Sequence, residues 1–315
     1  MFRIAGTRLL QLVPTLVGMS LLIFALVRLL PGDVTTSLFS GDSGSSEESR
    51  AAVRTALGLD DPFLLQYWHF VTGIFTGDLG SSFLSGQPVT QILGRAVPIT
   101  LELTVLATVF AVVVGIPLGV VSAVRRDTVT DMVVRIGGLI GLSVPNFWIA
   151  ILALLLTSTL LQWVPQVTWI PIWDDPLGNL GQMAIPAFAV SLYLLAAVMR
   201  MTRASVLEVL QEDYVRTARA KGAPPLRVIT RHAVRNAMIP VVTVIGTQVG
   251  NLMGGATIIE VIFGLPGVGN TLVQSTYNRD YPVVEVTAIF LAAVFIALNF
   301  VVDLLYGYLD PRIEQ

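Results

Sequence analysis

Three observations predict an all-α integral membrane protein: long apolar runs, few charged residues, and arginines gathered on one set of loops. Apolar residues make up 54% and charged residues 13% of the 315, about half the charged share of an average soluble domain. Helices that face lipid are apolar on all sides, because lipid takes the place of water. The net charge of −2 conceals how unevenly the arginines are distributed.

The same composition excludes several chemistries. There is no cysteine, so disulfides, thiolate nucleophiles, iron–sulfur clusters and thiol zinc sites are ruled out. The two histidines, His69 and His232, are far apart, no HExxH occurs, and no metal site is expected. Lys221 is the single lysine and is followed by Gly222, not by the serine or threonine of a phosphate-binding loop. The chain is therefore expected to bind no ATP of its own.

The first apolar run, Leu9 to Leu30, would be about 33 Å long as a helix, enough to cross the hydrocarbon. Arg3 and Arg8 precede it, which raises the question of a cleaved signal peptide. Its end reads ALVRLLPGD, without a small-x-small cleavage site, so it reads as an uncleaved span kinked at Pro14. Further runs cover 98–124, 132–163, 183–203, 237–263 and 283–309. The run over 132–163 is long enough to break near Pro145 in SVPNFW. Six spans put both termini on one side, and the positive-inside rule chooses it. Arg3, Arg8, Arg125, Arg126, Arg135, Arg200, Arg203, Arg312 and the basic residues of 213–236 fall on the terminal side. The other side has Arg28, Arg50, Arg54, Arg95 and Arg279. The expected topology is N-in and C-in.

Two segments are expected outside. The region from Pro31 to Val97 contains a mobile Ser/Gly-rich piece, GDSGSSEES, then two short helices in AAVRTALGL and DPFLLQYWHFVTGIF. The second is amphipathic and is expected to lie near the membrane interface, where Tyr67 and Trp68 suit the headgroup level. The stretch VPQVTWIPIWDDPLGNLG reads as an aromatic belt with a small protruding loop. These divisions give a first span plus outer region over 1–97, a five-helix core over 98–309 and a tail over 310–315.

Six of the chain's 19 lysines and arginines lie between Asp213 and Asn236, joined there by His232. Asp213 to Lys221 reads as a short helix that Gly222 ends in the left-handed conformation. Pro224 and Pro225 cannot continue it but can start another, running towards Asn236. On that second helix Leu226, Ile229 and Ala233 share one face, and Arg227, Arg231 and Arg235 repeat every four residues. Topology needs positive charge but not a Gly-Ala-Pro-Pro corner, so the elbow reads as a docking surface of fixed shape.

Gly246, Gly250 and Gly254 recur at four-residue spacing in the fifth span, next to Thr247, Gln248 and Asn251. Small residues at this spacing permit close helix packing; the same polar neighbours would also suit a helix lining a path, and both readings stand. Gly115 and Gly119 around Pro117 read as packing. Glu102, Glu260 and Asp303 are ionisable residues inside spans, costly unless partnered. Glu260 followed by FGLPGVG reads as a helix breaking into a re-entrant or gating loop.

The stretch DYVRTARAKG followed by RHAVRNAMIP resembles the cytoplasmic EAA loop of ABC importer membrane subunits. Arg216-Thr217-Ala218 stands at the EAA positions and Gly222 at the glycine, while Arg235 falls where sugar importers have a proline. This form is similar to that of permeases of the dipeptide, oligopeptide and nickel importers. RLLQLVPTLVGMSLLIFALVRLLPGD, QYWHFVTGIFTGDLGSSF, RAVPITLELT, SVPNFW, GATIIEVIFGLPGVG, RDYPVV and VDLLYGYLDPRI resemble that family too, so the likeness covers nearly the whole chain. It implies a type I ABC importer permease fold of six spans in a bacterial cytoplasmic membrane. It also implies a second, homologous permease, two ATP-binding subunits that hold ATP and Mg, and an external solute-binding protein. Asp213, Arg216, Arg219, Gly222 and Arg231 are the residues expected to couple to the ATPase, Gly222 by carrying the turn. Residues 31–97 and the loop around Gly178 are expected to meet the binding protein. No nucleic acid is expected as a partner.

Rival readings lack their signatures. A proton-coupled secondary transporter should show inverted repeats and a midplane relay of acids or histidines. An intramembrane hydrolase needs a Ser/His, paired-Asp or HExxH arrangement. A scaffold has no use for the elbow. Within the resemblance, dipeptides, longer peptides, nickel chelates and glutathione are the candidate substrates, with peptides first.

Overall fold

The structure, a computed structural model, describes residues 2–29, 35, 47–56, 58–164 and 168–309. The predicted tail, the piece over 41–46, and the side chains of Arg3, Arg8 and Asp303 lie outside what is described. Among the described residues the chain is helical, apart from one isolated antiparallel bridge between Ser81 and Pro88. The helices are α1 (Phe2–Leu29), α2 (Glu47–Ala56), α3 (Phe63–Thr76), α4 (Val89–Val124), α5 (Val129–Ser143), α6 (Asn146–Leu160), α7 (Pro176–Val209), α8 (Asp213–Ala220), α9 (Pro225–Phe263), α10 (Val268–Tyr277) and α11 (Tyr281–Leu309). The chain divides into two compact units, one of residues 1–99 with 266–296 and one of residues 100–265 with 297–315.

Among the described residues four helices, α4, α7, α9 and the stretch Tyr281–Val302 of α11, are long and apolar enough to cross a membrane, five if the bent pair α5 and α6 counts as one span. Each extends beyond the run that announced it, because hydropathy marks only the part that meets lipid. The break expected near Pro145 is present: α5 and α6 meet at 104°. Val144 (φ −88°, ψ 127°) and Pro145 (φ −60°, ψ 133°) are both extended, since the proline ring excludes the helical conformation from the residue before it. Each arm has 15 residues, about 22 Å, so neither crosses a 30 Å hydrocarbon core alone. In α1 the described apolar part is Pro14–Leu29.

The second unit is organised around α7, which buries residues along its whole length. Two pairs of glycines let its neighbours come close. A Cβ on Gly119 of α4 would stand 2.6 Å from both the Met199 carbonyl oxygen and Thr202 Cβ, and one on Gly115 would stand 3.0 Å from the Leu195 carbonyl. On α5, Gly138 and Gly141 face Met199 and Ala196 in the same way. Lipid offers no hydrophobic drive between helices, so this contact area, gained by removing side chains, is what holds them. The start of α7 is tied to the tryptophan loop. Asn179 Nδ2 donates to the Ile170 carbonyl (2.7 Å), Gln182 accepts from the Ile170 amide (3.1 Å) and donates to the Thr168 carbonyl (3.1 Å). The loop expected to protrude is thus strapped down, and Trp169 donates its indole N–H to Glu102 (3.0 Å).

In the first unit, Val89, Leu93 and Ala96 of α4 pack with Val268 of α10 and Val283 and Val286 of α11. Val27 of α1 packs with Tyr281 and Val284. Arg28, counted from sequence among the orienting charges, turns inward instead. It pairs with the buried Glu285, donates to Gln66 (2.8 Å), and lies over the Phe24 ring at 3.4 Å. Tyr67 shares a hydrogen bond with Ser20 of α1 (2.9 Å). Asp280, buried, accepts from Ser82 Oγ (2.5 Å) and the Phe83 amide (2.9 Å), pinning the 81–88 loop to the turn before α11. Helix α10 was not expected from FGLPGVG, which reads as loop until Gly267.

The glycine contacts make a direct prediction. Gly119→Ala should lower the melting temperature of the purified protein, because its methyl group has backbone and a Cβ in its way. Gly137→Ala, where nothing lies within 4 Å, should raise stability by about 0.5–1 kcal/mol through helix propensity alone. Equal effects at the two positions would refute the packing account.

Candidate functional site

The basic elbow is built as the sequence requires at its corner. Gly222 has φ +80°, a conformation that costs an ordinary residue about 1–2 kcal/mol. Its N–H donates to the Arg219 carbonyl (2.9 Å) and that of Ala223 to the Ala218 carbonyl (3.2 Å). These two bonds close α8 as a Schellman motif and satisfy carbonyls that a helix end otherwise leaves open. Nothing lies within 4 Å of a Cβ at Gly222, so the glycine is needed for its backbone and not for space.

The second arm differs from the expectation. Pro225–Arg227 continues through a π-helical turn, Val228–Val234, directly into Arg235–Phe263, so the arm is the root of the fifth span and not a separate short helix. The π-turn also changes the inner face. Val228 and Ala233, five residues apart, are buried, while Leu226 is 72% exposed. A π-turn brings i and i+5 onto one line where an α-helix aligns i, i+3 and i+4, so the predicted Leu226–Ile229–Ala233 face does not form as such.

Val215, fully buried, anchors α8. Asn236 Nδ2 donates to the Tyr214 hydroxyl (2.8 Å), which donates to the His232 carbonyl (3.4 Å), bracing the two arms. Neither Tyr214 nor Asn236 was singled out from sequence; their pairing across the corner was its only signal. Asp213 and Arg216 meet at 3.4 Å, both almost fully exposed, a geometry of little energetic weight. Arg219, Lys221, Arg227, Arg231 and Arg235 are exposed. The elbow thus presents cations on a braced frame.

Beneath it, Ala123 of α4, Val206 of α7 and Ala237 of α9 form a buried cluster. Close by in sequence, Asp131 of α5 is buried and accepts two bonds from Arg203 of α7 (2.8 and 2.9 Å), one from Ser122 (2.5 Å) and one from the Asp127 amide (3.2 Å). Arg203, assigned from sequence to the orienting charges, is a structural tie, and Asp131 was missed. The Thr128 side chain caps α5 by accepting from the Asp131 amide, and that Thr-x-x-Asp pattern was the available clue.

The fifth-span residues separate into two groups. Gly246 packs: its Cβ would meet two methyls of Val302 at 3.1 Å, and Gly250 is buried. Gly254 does not, being exposed with nothing within 4 Å. With Thr247 and Asn251 it forms an open stripe along α9. Thr247 bonds to its own backbone, and Asn251 donates to Gln248 (2.8 Å). Glu260 is fully buried and accepts from Thr100 (2.6 Å). Four residues later Gly264 (φ +66°) ends the helix, with the Leu265 amide bonded to the Glu260 carbonyl (2.9 Å), so the break read from FGLPGVG is present.

Solved structures of ABC transporters share the helical fold. One, described as an inward-facing conformation of the MetNI methionine ABC transporter, matches with a TM-score of 0.57 and 19% identity over 70% of this chain and 97% of that one. Another, an amino acid ABC transporter with histidines, matches at 0.52 and 16% over 69% and 93%. The chain belongs to the family of binding-protein-dependent transport system inner membrane components, matched over residues 115–315, with the family's N-terminal region matched over 1–104. It is 44% identical to a peptide transport system permease protein of Brucella suis biovar 1 (strain 1330) and 43% identical to the dipeptide transport system permease protein DppB of Escherichia coli K12, each over 98% of this chain and 97% of the relative. DppB of Alkalihalophilus pseudofirmus is 35% identical over the full length of both.

The Asp131–Arg203 tie is testable by a mutant cycle. Asp131→Ala should destabilise the protein by about 3 kcal/mol, the low end for a broken buried pair because the guanidinium is partly open. Asp131→Leu with Arg203→Met should recover much of that loss, measured by thermal unfolding. A double variant as unstable as the sum of the singles would remove the pair from the account.

Proposed function

We propose that this chain is the membrane-spanning translocation subunit of an ATP-driven importer of di- and oligopeptides in a bacterial cytoplasmic membrane. The substrate class follows the names of relatives that match it from end to end. In this reading six spans, with α5 and α6 counted as one and α1 as the first, leave both termini on the cytoplasmic side. A second, homologous permease covers the open Thr247–Asn251–Gly254 stripe. Thr and Asn side chains turned to lipid are unfavourable, and a path between two permeases removes that cost while giving Gln248 and Asn251 a passing substrate to meet. ATP and Mg belong to two partner subunits, and an external solute-binding protein delivers the peptide to the segments around 31–97 and Gly178.

The observation that carries the mechanism is the elbow's form. Asp213, Arg216, Arg219 and Arg231 contact the ATPase, and Gly222 holds the turn. When the ATPase subunits close they displace the elbow, whose second arm is continuous with the helix bearing the open stripe. A ligand shifts a conformational equilibrium only by its differential affinity for the two states, and a braced joint passes that preference on without loss in a slack loop. Glu260, tied to Thr100, sets where the far end of this helix breaks and is the candidate gate.

Gly222→Val should leave membrane insertion and ATPase binding intact but lower dipeptide uptake per ATP hydrolysed by about tenfold, since about 1.4 kcal/mol of backbone strain enters the joint. Gly222→Asn, which accepts positive φ, should behave nearly as the unsubstituted chain. Uptake in cells and ATP hydrolysis in reconstituted vesicles, measured together, decide it. Normal coupling in the valine variant, or nickel uptake without peptide uptake, would overturn the corresponding part of the proposal.

A further inference from the structure

Helix α3 has three distinct sides. Phe63, Tyr67 and Phe70 face α1, with ring centroids 5.2, 5.3 and 5.6 Å from Phe24. Gln66, His69, Gly73 and Thr76 make a polar side, on which Gln66 bonds to Arg28 and to the Leu59 and Asp61 carbonyls. The third side is apolar and open. Leu64, Trp68 and Phe75 are 75%, 63% and 86% exposed, and with Val71 they recur at i, i+4, i+7 and i+11, the spacing of one helical face.

The height of α3 along the spans is fixed by what it touches. It packs beside Ser20–Arg28, the last turns of α1, and Phe70 packs onto the cluster made by the first turns of α4 and α11. It therefore lies where three membrane helices end. The same part of α1 turns Leu22, Leu26 and Leu29 outwards, an apolar surface of the kind lipid covers. The helix has no Asp, Glu, Lys or Arg, so it needs neither water along its length nor anionic headgroups to hold it. We infer that α3 lies in the plane of the membrane at the lipid boundary, its Leu64–Trp68–Val71–Phe75 face immersed in acyl chains and its His69–Thr76 side turned to water. An apolar helix face of this kind sinks about 5–10 Å below the headgroups, and Trp68 is the side chain type favoured at that depth. The 450 Å³ hollow lined by His69, Thr72, Thr76, Asp78 and Glu285 opens on the polar side, above the lipid.

The natural absence of cysteine permits a clean test. Spin labels are placed singly at Leu64→Cys, Phe75→Cys, His69→Cys and Thr76→Cys in the full chain, purified as assembled and reconstituted into phosphatidylcholine vesicles. All four positions are exposed, so the label is tolerated. At Leu64 and Phe75, collisions with oxygen should exceed those with a water-soluble nickel complex several-fold, and at His69 and Thr76 the order should reverse. The pattern should be the same with phosphatidylglycerol added, because α3 has no cation to recruit it. Nickel-rich collisions at all four sites would place the helix in water. Shielding of Leu64 and Phe75 from both reagents would mean that a protein covers the stripe. Either result overturns the inference.

Discussion

Close approach of α4 and α5 to α7 is the constraint on which the larger unit depends. In lipid an apolar side chain is no better off against another helix than against an acyl chain, so helices are held by contact area and directional bonds. Gly115, Gly119, Gly138 and Gly141 supply the area by removing side chains where α7 carries Ala196, Met199 and Thr202. Asp131, Ser122 and Arg203 supply the bonds one turn further along. The two devices need each other. The guanidinium reaches Asp131 only because the helices are close, and a buried carboxylate without that partner would push them apart. Since α7 ends at Val209, four residues before the elbow begins at Asp213, the position of the elbow is inherited from this packing.

Charge has two unlike uses in the chain. Arg28 and Arg203 are bound into the fold by Glu285 and Asp131, whereas Arg219, Lys221, Arg227, Arg231 and Arg235 stay on the surface of the elbow. A count of arginines treats both kinds alike. It misleads only when a single residue is asked for its role. A charge inside or beside a span is unfavourable alone and so implies a partner, and each such residue read from sequence should prompt a search for its opposite.

What was legible in the sequence follows from range. Hydropathy located α4, α7, α9 and α11, Pro145 the break, Gly222 the corner and FGLPGVG the helix end, all because the cause lies within a few residues of the effect. The Arg28–Glu285 pair joins residues 257 apart in sequence and Arg203–Asp131 residues 72 apart, and no local pattern reports either. Gly246, Gly250 and Gly254 looked equivalent as a repeat, yet only tertiary placement separates a glycine against Val302 from one on an open face. The Tyr214–Asn236 brace was hidden for the same reason, although the corner that makes it possible was plain.

The π-turn is the feature that local reasoning had least chance of finding, and it bears most on the mechanics. Three α-helical residues, Pro225–Arg227, and then seven π-helical ones, Val228–Val234, separate the corner from the regular fifth span. A π-turn closes its hydrogen bonds over i→i+5 where an α-helix uses i→i+4, and so accommodates one extra residue. The brace spans it: Tyr214 on α8 bonds to the His232 carbonyl inside the turn and to Asn236 in the α-helix beyond it. Helix α8 with its cations is thereby tied directly to the helix that bears Thr247 and Asn251. A uniform α-helix through the same stretch would have put Leu226 on the line of Ala233, where the π-turn instead buries Val228 and leaves Leu226 exposed.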